Sequence, residues 1–330
     1  MDAFQKKTIK TLRGYTYTYY VSHGDASLPT LILLHGWPDH AAMWKDVAKG
    51  LKSSTRHAMI IPDMLGYDGT DKPTDPAAYR FDRMTKDLTE ILDAEGSPKV
   101  VSIGHDWGSE AASRLYNFYP NRVVGLVNIN VPYMPPSNED FDVEKFNAHT
   151  KATLGLAMFS YWDVFAAPDG PKLLLENLDR TFRLQHGEGK TIEEIWCAPN
   201  VAKEYLINGG GEFALRPYAT EPGFKEAFIQ RMTRDGFEGP QCYYRAKNEG
   251  HQSSSDRTLP EGRAVVDVPT LWLLCKDDPI CRPEIIAPYK DELLPRLEVA
   301  DVINAAHWVA YERPGEVVQR MKPWLERNFG

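Results

Sequence analysis

The residue around which the chemistry of this chain turns is a carboxylate between two glycines. Gly104-His105-Asp106-Trp107-Gly108 follows an apolar run, 99–103, that predicts a strand. It precedes 109–119, whose spacing predicts a helix. A strand, a tight glycine-flanked turn and a helix make a nucleophile elbow, which lifts the central side chain clear of the sheet. The familiar elbow has Ser at its centre; here it is Asp106. That substitution selects the chemistry. Serine attacking a saturated carbon would leave an ether and a stalled enzyme. A carboxylate doing so leaves an ester, and an ester has a carbonyl for water to attack. Asp106 therefore predicts displacement at an sp³ carbon, then hydrolysis of a covalent alkyl-enzyme. A free aspartate titrates near ~4, so the nucleophile needs no base. The base is left for the second step.

Two further residues complete an order of nucleophile, acid and histidine. His307 follows an apolar run ending at Ile303, and Asp277 and Asp278 follow one ending at Leu274. Positions just after parallel strands fall on one sheet edge, the edge that carries Asp106. His307 is cast as the base that takes a proton from water, with an aspartate orienting and charge-balancing it. No carboxylate follows the strand ending at Ile129 closely enough to compete. His35-Gly-Trp-Pro38 supplies the other half of the site. The backbone N–H groups of Trp37 and Trp107 are expected to form an oxyanion hole for a carboxylate oxygen of Asp106 itself. His35, His40 and His105 are read as packing and loop-orienting residues.

The elements that must position these groups follow from periodicity. An alternating run, 15–21, predicts an antiparallel edge strand. Continuously apolar runs at 30–34, 59–62, 99–103, 123–129 and 270–274 predict strands buried on both faces. A further strand is expected over 297–303. Helical patterns lie between them, ending with 314–328, and a helix is expected from about Pro283. This alternation indicates an α/β fold, a mostly parallel sheet with helices on both faces. From 132 to 250 the alternation stops, and an aromatic-rich helical stretch reads as a cap inserted over the sheet's C-terminal edge. The core is then 1–131 and 251–330, with 251–260 as a polar link.

Bulk properties narrow the class. The chain has 330 residues, 42% apolar, which suffices for a large core. A net charge of −8 without a Lys/Arg block argues against nucleic acid. No apolar stretch is long enough to span a membrane, and residues 1–7 lack a signal-peptide core. Cys197, Cys242, Cys275 and Cys281 lack metal-ligand spacing and read as reduced thiols of a cytoplasmic protein. No cofactor and no metal are expected.

At these motifs the chain resembles the epoxide hydrolases of the α/β-hydrolase fold, of the soluble type. The resemblance is carried by His-Gly-Trp-Pro at 35–38, Gly-His-Asp-Trp-Gly at 104–108, Lys-Asp-Asp-Pro-Ile at 276–280 and Ala-His-Trp at 306–308. Ala306 stands where Gly often precedes the histidine. The resemblance implies an eight-stranded sheet, and it selects Asp278 over Asp277 as the acid. It implies neither the N-terminal phosphatase domain of larger members nor the anchor of microsomal ones. It also implies two cap tyrosines: Tyr161, in Phe159–Phe165, and Tyr244, in Cys242–Arg245, with Tyr243 as the fallback for Tyr244. Their need is chemical, because opening an epoxide leaves an alkoxide, and a phenol titrating near ~10 can protonate it. The implied reaction converts an epoxide to a vicinal diol, with water as co-substrate and an apolar or aryl epoxide as partner, in a monomer or homodimer. A haloalkane or haloacid dehalogenase with the same Asp-His-Asp set is the alternative; a halide leaves without a proton, so the tyrosine pair decides. A non-catalytic binding protein would have no use for nucleophile, acid and base together.

Overall fold

In the computed structural model, residues 1, 3–211 and 213–330 are described. In chain order the elements are β1 (Gln5–Lys10), β2 (Thr16–Ser22), β3 (Thr30–Leu34), α1 (Lys45–Ser54), β4 (Met59–Pro62), α2 (Phe81–Ala94), β5 (Val100–His105), α3 (Trp107–Phe118) and β6 (Val123–Ile129). A helical insertion follows: α4 (Val143–Leu154), α5 (Trp162–Phe165), α6 (Gly170–Glu176), α7 (Leu178–His186), α8 (Val201–Asn208), α9 (Phe224–Asp235), α10 (Glu238–Asn248) and α11 (His251–Asp256). The chain then returns to the sheet with β7 (Thr270–Leu273), α12 (Lys290–Leu293), β8 (Leu297–Val299), α13 (Val309–Glu312) and α14 (Pro314–Phe329).

The eight strands form one sheet in the order β1-β2-β4-β3-β5-β6-β7-β8. β2 pairs antiparallel with both β1 and β4; the remaining pairings are parallel. This is the α/β hydrolase sheet that the resemblance implied. The strands alternate faces as the pleat requires. Leu31, Leu33, Val101, Ile103, Val127 and Ile129 pack on one side with α1 and α14. Ile32, Leu34, Val100 and Leu126 pack on the other, with α2, α3 and the insertion. Burial on both faces is why these strands read as continuously apolar.

Register sets the site. Leu34 lies opposite Gly104, His105 opposite Ile129, and Ile129 opposite Leu273. The residues that follow these strands therefore emerge together at one edge.

Four expectations are corrected. The strand at 15–21 is not the sheet edge, because β1 covers it; the Lys-rich β1 sequence has too few apolar residues to announce a strand. The polar stretch after Gly250 opens as helix α11, whose Gln252, Ser253, Ser255 and Asp256 are buried by hydrogen bonding rather than by apolar packing. The helix from Pro283 is only one turn of 3-10 geometry, followed by the short α12. The last strand pairs over 297–299, with one further bridge from Cys275 to Ile303, and leaves Val299 and Val302 exposed. Among the described residues no helix is long and apolar enough to cross a membrane.

Candidate active site

The elbow is a backbone necessity before it is a chemical one. Asp106 has φ 55° and ψ −128°, a conformation that costs a non-glycine residue on the order of 1–3 kcal/mol. The turn closes so tightly that a Cβ on Gly104 would lie 2.1 Å from the Gly108 carbonyl oxygen. One on Gly108 would lie 2.1 Å from the Leu34 carbonyl oxygen. Both flanking positions thus require glycine. Trp107 opens α3, whose unpaired N–H groups and dipole favour an anion at Asp106.

Trp37 N–H donates to Asp106 Oδ1 at 2.7 Å. Of the two donors expected from the sequence, this one is engaged; among the described residues Trp107 N–H makes no hydrogen bond to the carboxylate. His307 Nε2 stands 3.6 Å from Asp106 Oδ2, and its Nδ1 lies 2.7 Å from Asp278 Oδ2. Asp278 is buried, whereas Asp277 is exposed. Burial alone would lower the His307 pKa, but the charge of Asp278 and the bonds to both carboxylates override it and raise the imidazole to about 10. Burial likewise opposes ionisation of Asp278, and the imidazolium and its hydrogen bonds win, holding the carboxyl below its usual range.

His307 is pinned by its backbone as well. His105 Nε2 donates to the His307 carbonyl at 2.7 Å. Burial, then the neighbouring imidazolium, lowers His105 to about 4, so this ring stays neutral. His35 is lowered by burial to about 3, accepts from Met64 N–H and ties the His-Gly-Trp-Pro loop to the strand end after β4. His40 lies away from the triad, 3.5 Å from Asp68.

Tyr161 and Tyr244 are both buried, with ring centroids 6.1 Å apart. They line a single cavity of about 60 Å³ together with Asp106 and Trp107. Burial first, then the Asp106 charge, pushes both phenols well above their ordinary range, so they remain protonated. Tyr243 spends its hydroxyl on the Leu65 carbonyl at 3.0 Å and does not line the cavity. The Trp37 indole packs against Phe165 and Trp196 behind it.

Sequence reasoning passed over four contributors. Asn130 Nδ2 donates to Asp278 Oδ2 at 2.6 Å, from a strained φ of 62°. It follows β6 just as Asp106 follows β5, and only the search for a carboxylate there hid it. The buried Cys281 thiol lies within 4.8 Å of the Asp278 carboxylate. Phe141 and Phe146 add to the cavity wall beside Phe159 and Trp162.

The profile of the α/β hydrolase fold family matches residues 29–314. The chain belongs to that family. It is 30% identical over 302 residues to bifunctional epoxide hydrolase 2 of Mus musculus, covering 90% of this chain and 52% of that protein. The chain thus spans about half the length of the first curated relatives it matches. Epoxide hydrolase A of Mycobacterium tuberculosis is 27% identical over 327 residues, 92% of each chain. The crystal structure of epoxide hydrolase A from Mycobacterium thermoresistibile superposes with a TM-score of 0.78 at 24% identity, covering 99% of both chains. An epoxide hydrolase from an endophytic Streptomyces gives 0.82 at 21% identity, covering 99% of this chain and 96% of that one. At such identities the structural matches speak for the fold alone.

Proposed function

We propose that this chain is an epoxide hydrolase, with residues 132–250 forming a cap over the core 1–131 and 251–330. The observation that carries the reading is that two buried, protonated phenols face the same small cavity as the elbow carboxylate. Asp106 Oδ2 attacks an epoxide carbon, and the C–O bond of the ring breaks. Tyr161 and Tyr244 hold the departing oxygen, and one of them gives it a proton. Esterification removes the Asp106 charge, one of the charges that keep the proton on His307, so the imidazolium gives up its proton, which restores the phenol, and the neutral imidazole is freed as a base. His307 Nε2 then takes a proton from water, and the hydroxide adds to the Asp106 carboxyl carbon. Oδ1 takes up the negative charge against Trp37 N–H. Collapse expels the oxygen that had attacked, which takes its proton from the imidazolium to complete the diol; the water oxygen stays on Asp106, whose carboxyl proton passes back to His307. Asp278 holds the imidazole in orientation and balances its charge. The aromatic wall suits an apolar or aryl substituent. The relatives named above are all epoxide hydrolases, and a dehalogenase would have no use for the phenol pair.

A single turnover of an aryl epoxide in ¹⁸O-water is expected to label Asp106 and leave the first diol unlabelled. Label in that diol would refute the covalent route. Tyr161→Phe and Tyr244→Phe are each expected to slow alkylation about 10²-fold in stopped-flow fluorescence. A double variant as active as wild type on epoxides would sink the assignment in favour of a halide-releasing site.

A further inference from the structure

The loop that carries the base is held by a carboxylate whose counter-charge comes from the cap. Ala306 N–H, just before His307, donates to Glu312 Oε2 at 3.1 Å. Glu312 closes α13, the single turn that follows the base. Arg216 Nη1 donates to both Glu312 oxygens, at 3.0 and 3.1 Å, and each side chain is only 8% exposed. Arg216 belongs to the cap, and the cap fixes its backbone. Arg216 N–H donates to the His186 carbonyl at 2.9 Å, next to an antiparallel bridge between Gly187 and Leu215. The same surfaces meet again nearby, where Tyr218 stacks on Tyr311 and His186 abuts Trp308.

From this geometry we propose that Arg216 is a positioning residue for the base: the seated cap, through the Arg216–Glu312 pair, sets the turn that aims His307. The proposal rests on the reaction given above. The physics is that of a buried ion pair. Removing one member leaves an uncompensated charge in low dielectric. Glu312 would then be drawn toward water and would release the Ala306 N–H. Among the described residues the 306–307 backbone would remain tied by His105 and by a longer contact of 3.4 Å from Asn130 Nδ2 to the Ala306 carbonyl. Asp106 and the two phenols are held by other elements. The step that depends on His307, hydrolysis of the ester, should therefore suffer more than alkylation.

The test is a pre-steady-state comparison of wild type, Arg216→Met, Glu312→Gln and the double variant, reading alkylation and hydrolysis separately from tryptophan fluorescence and from mass spectra of the trapped ester. Arg216→Met should slow hydrolysis about tenfold or more, since small misplacements of a catalytic group carry such costs. Alkylation should stay within about threefold, so the ester accumulates. The double variant should recover most of the loss, because a glutamine amide still accepts from Ala306 N–H and leaves no buried charge. Equal slowing of both steps, no slowing, or a double variant no better than Arg216→Met would overturn the proposal. If Arg216→Met does not fold, Arg216→Lys replaces it, with a smaller loss still confined to hydrolysis; slowing of both steps there counts against it equally. Wild type that forms no ester with any epoxide would instead sink the reaction. In that case the His307 ring resonances decide the inference: Arg216→Met must shift them and the double variant must restore them, and unchanged resonances would refute it.

Discussion

His307 stands between two carboxylates, and this makes the fold itself pH-dependent. Its folded pKa of about 10 lies above the ordinary 6.5. The stability from its charged form is thus fully present below pH 6.5 and is lost as pH rises through about 10. Asp278, held below its ordinary value, contributes the same interaction from the other side, lost only as pH falls through that lowered value. Urea unfolding between pH 7 and 10.5 should show stability dropping by on the order of 3 kcal/mol, and His307→Gln should flatten that slope. An equal slope in the variant would mean that other groups carry it. At this scale much of the candidate site was legible, since Asp106, Asp278 and His307 each follow a strand and register brings strand ends together. Asn130 sits at the fourth such position but has no charge to announce it. Arg216 and Glu312 were invisible for a different reason: they lie 96 residues apart among many other charged residues, and only tertiary packing distinguishes this pair.

The elbow is the element whose sequence and geometry agree most closely. A Gly108→Ala methyl would meet the Leu34 carbonyl at 2.1 Å, and backbone cannot swing aside as a side chain can. Gly108→Ala should cost at least about 3 kcal/mol, visible as a large drop in Tm or as failure to fold. Gly315, at the start of α14, has nothing within 4 Å of an added Cβ. Gly315→Ala should be neutral or should gain up to about 1 kcal/mol in helix propensity. Similar melting temperatures for the two variants would show the close approach to be unimportant. Three of the misread elements share one cause. β1, α11 and β8 are edge or junction pieces whose stability comes from pairing and buried hydrogen bonds, which leave little apolar periodicity. The central strands carry that periodicity on both faces and were plain.

At the scale of the whole molecule, the return from the insertion to the sheet is held by charge. Arg114 on α3 makes a bidentate pair with Asp256 on α11, at 2.8 and 2.9 Å, and donates to the Met134 carbonyl at 2.8 Å. Both ionic side chains are almost wholly shielded from solvent. Breaking such a pair from one side typically costs about 3–5 kcal/mol, so Arg114→Met should lower the urea midpoint sharply. Arg56→Ala, at an exposed pair with Asp25, should cost less than about 1 kcal/mol. A comparable loss in both would refute the distinction. The insertion itself was legible as a break in alternation, but its joints were not, because polar residues look alike in sequence whether they face water or each other.

The four thiols give this architecture a use that chemistry alone would not suggest. All are buried and unbridged, Cys197 and Cys242 in the helical stretch between β6 and β7 and Cys275 and Cys281 beside Asp278. A maleimide offered to the native protein finds nothing to alkylate until some part of it opens. The order in which the two pairs become reactive would then record which part, roof or floor, loosens first.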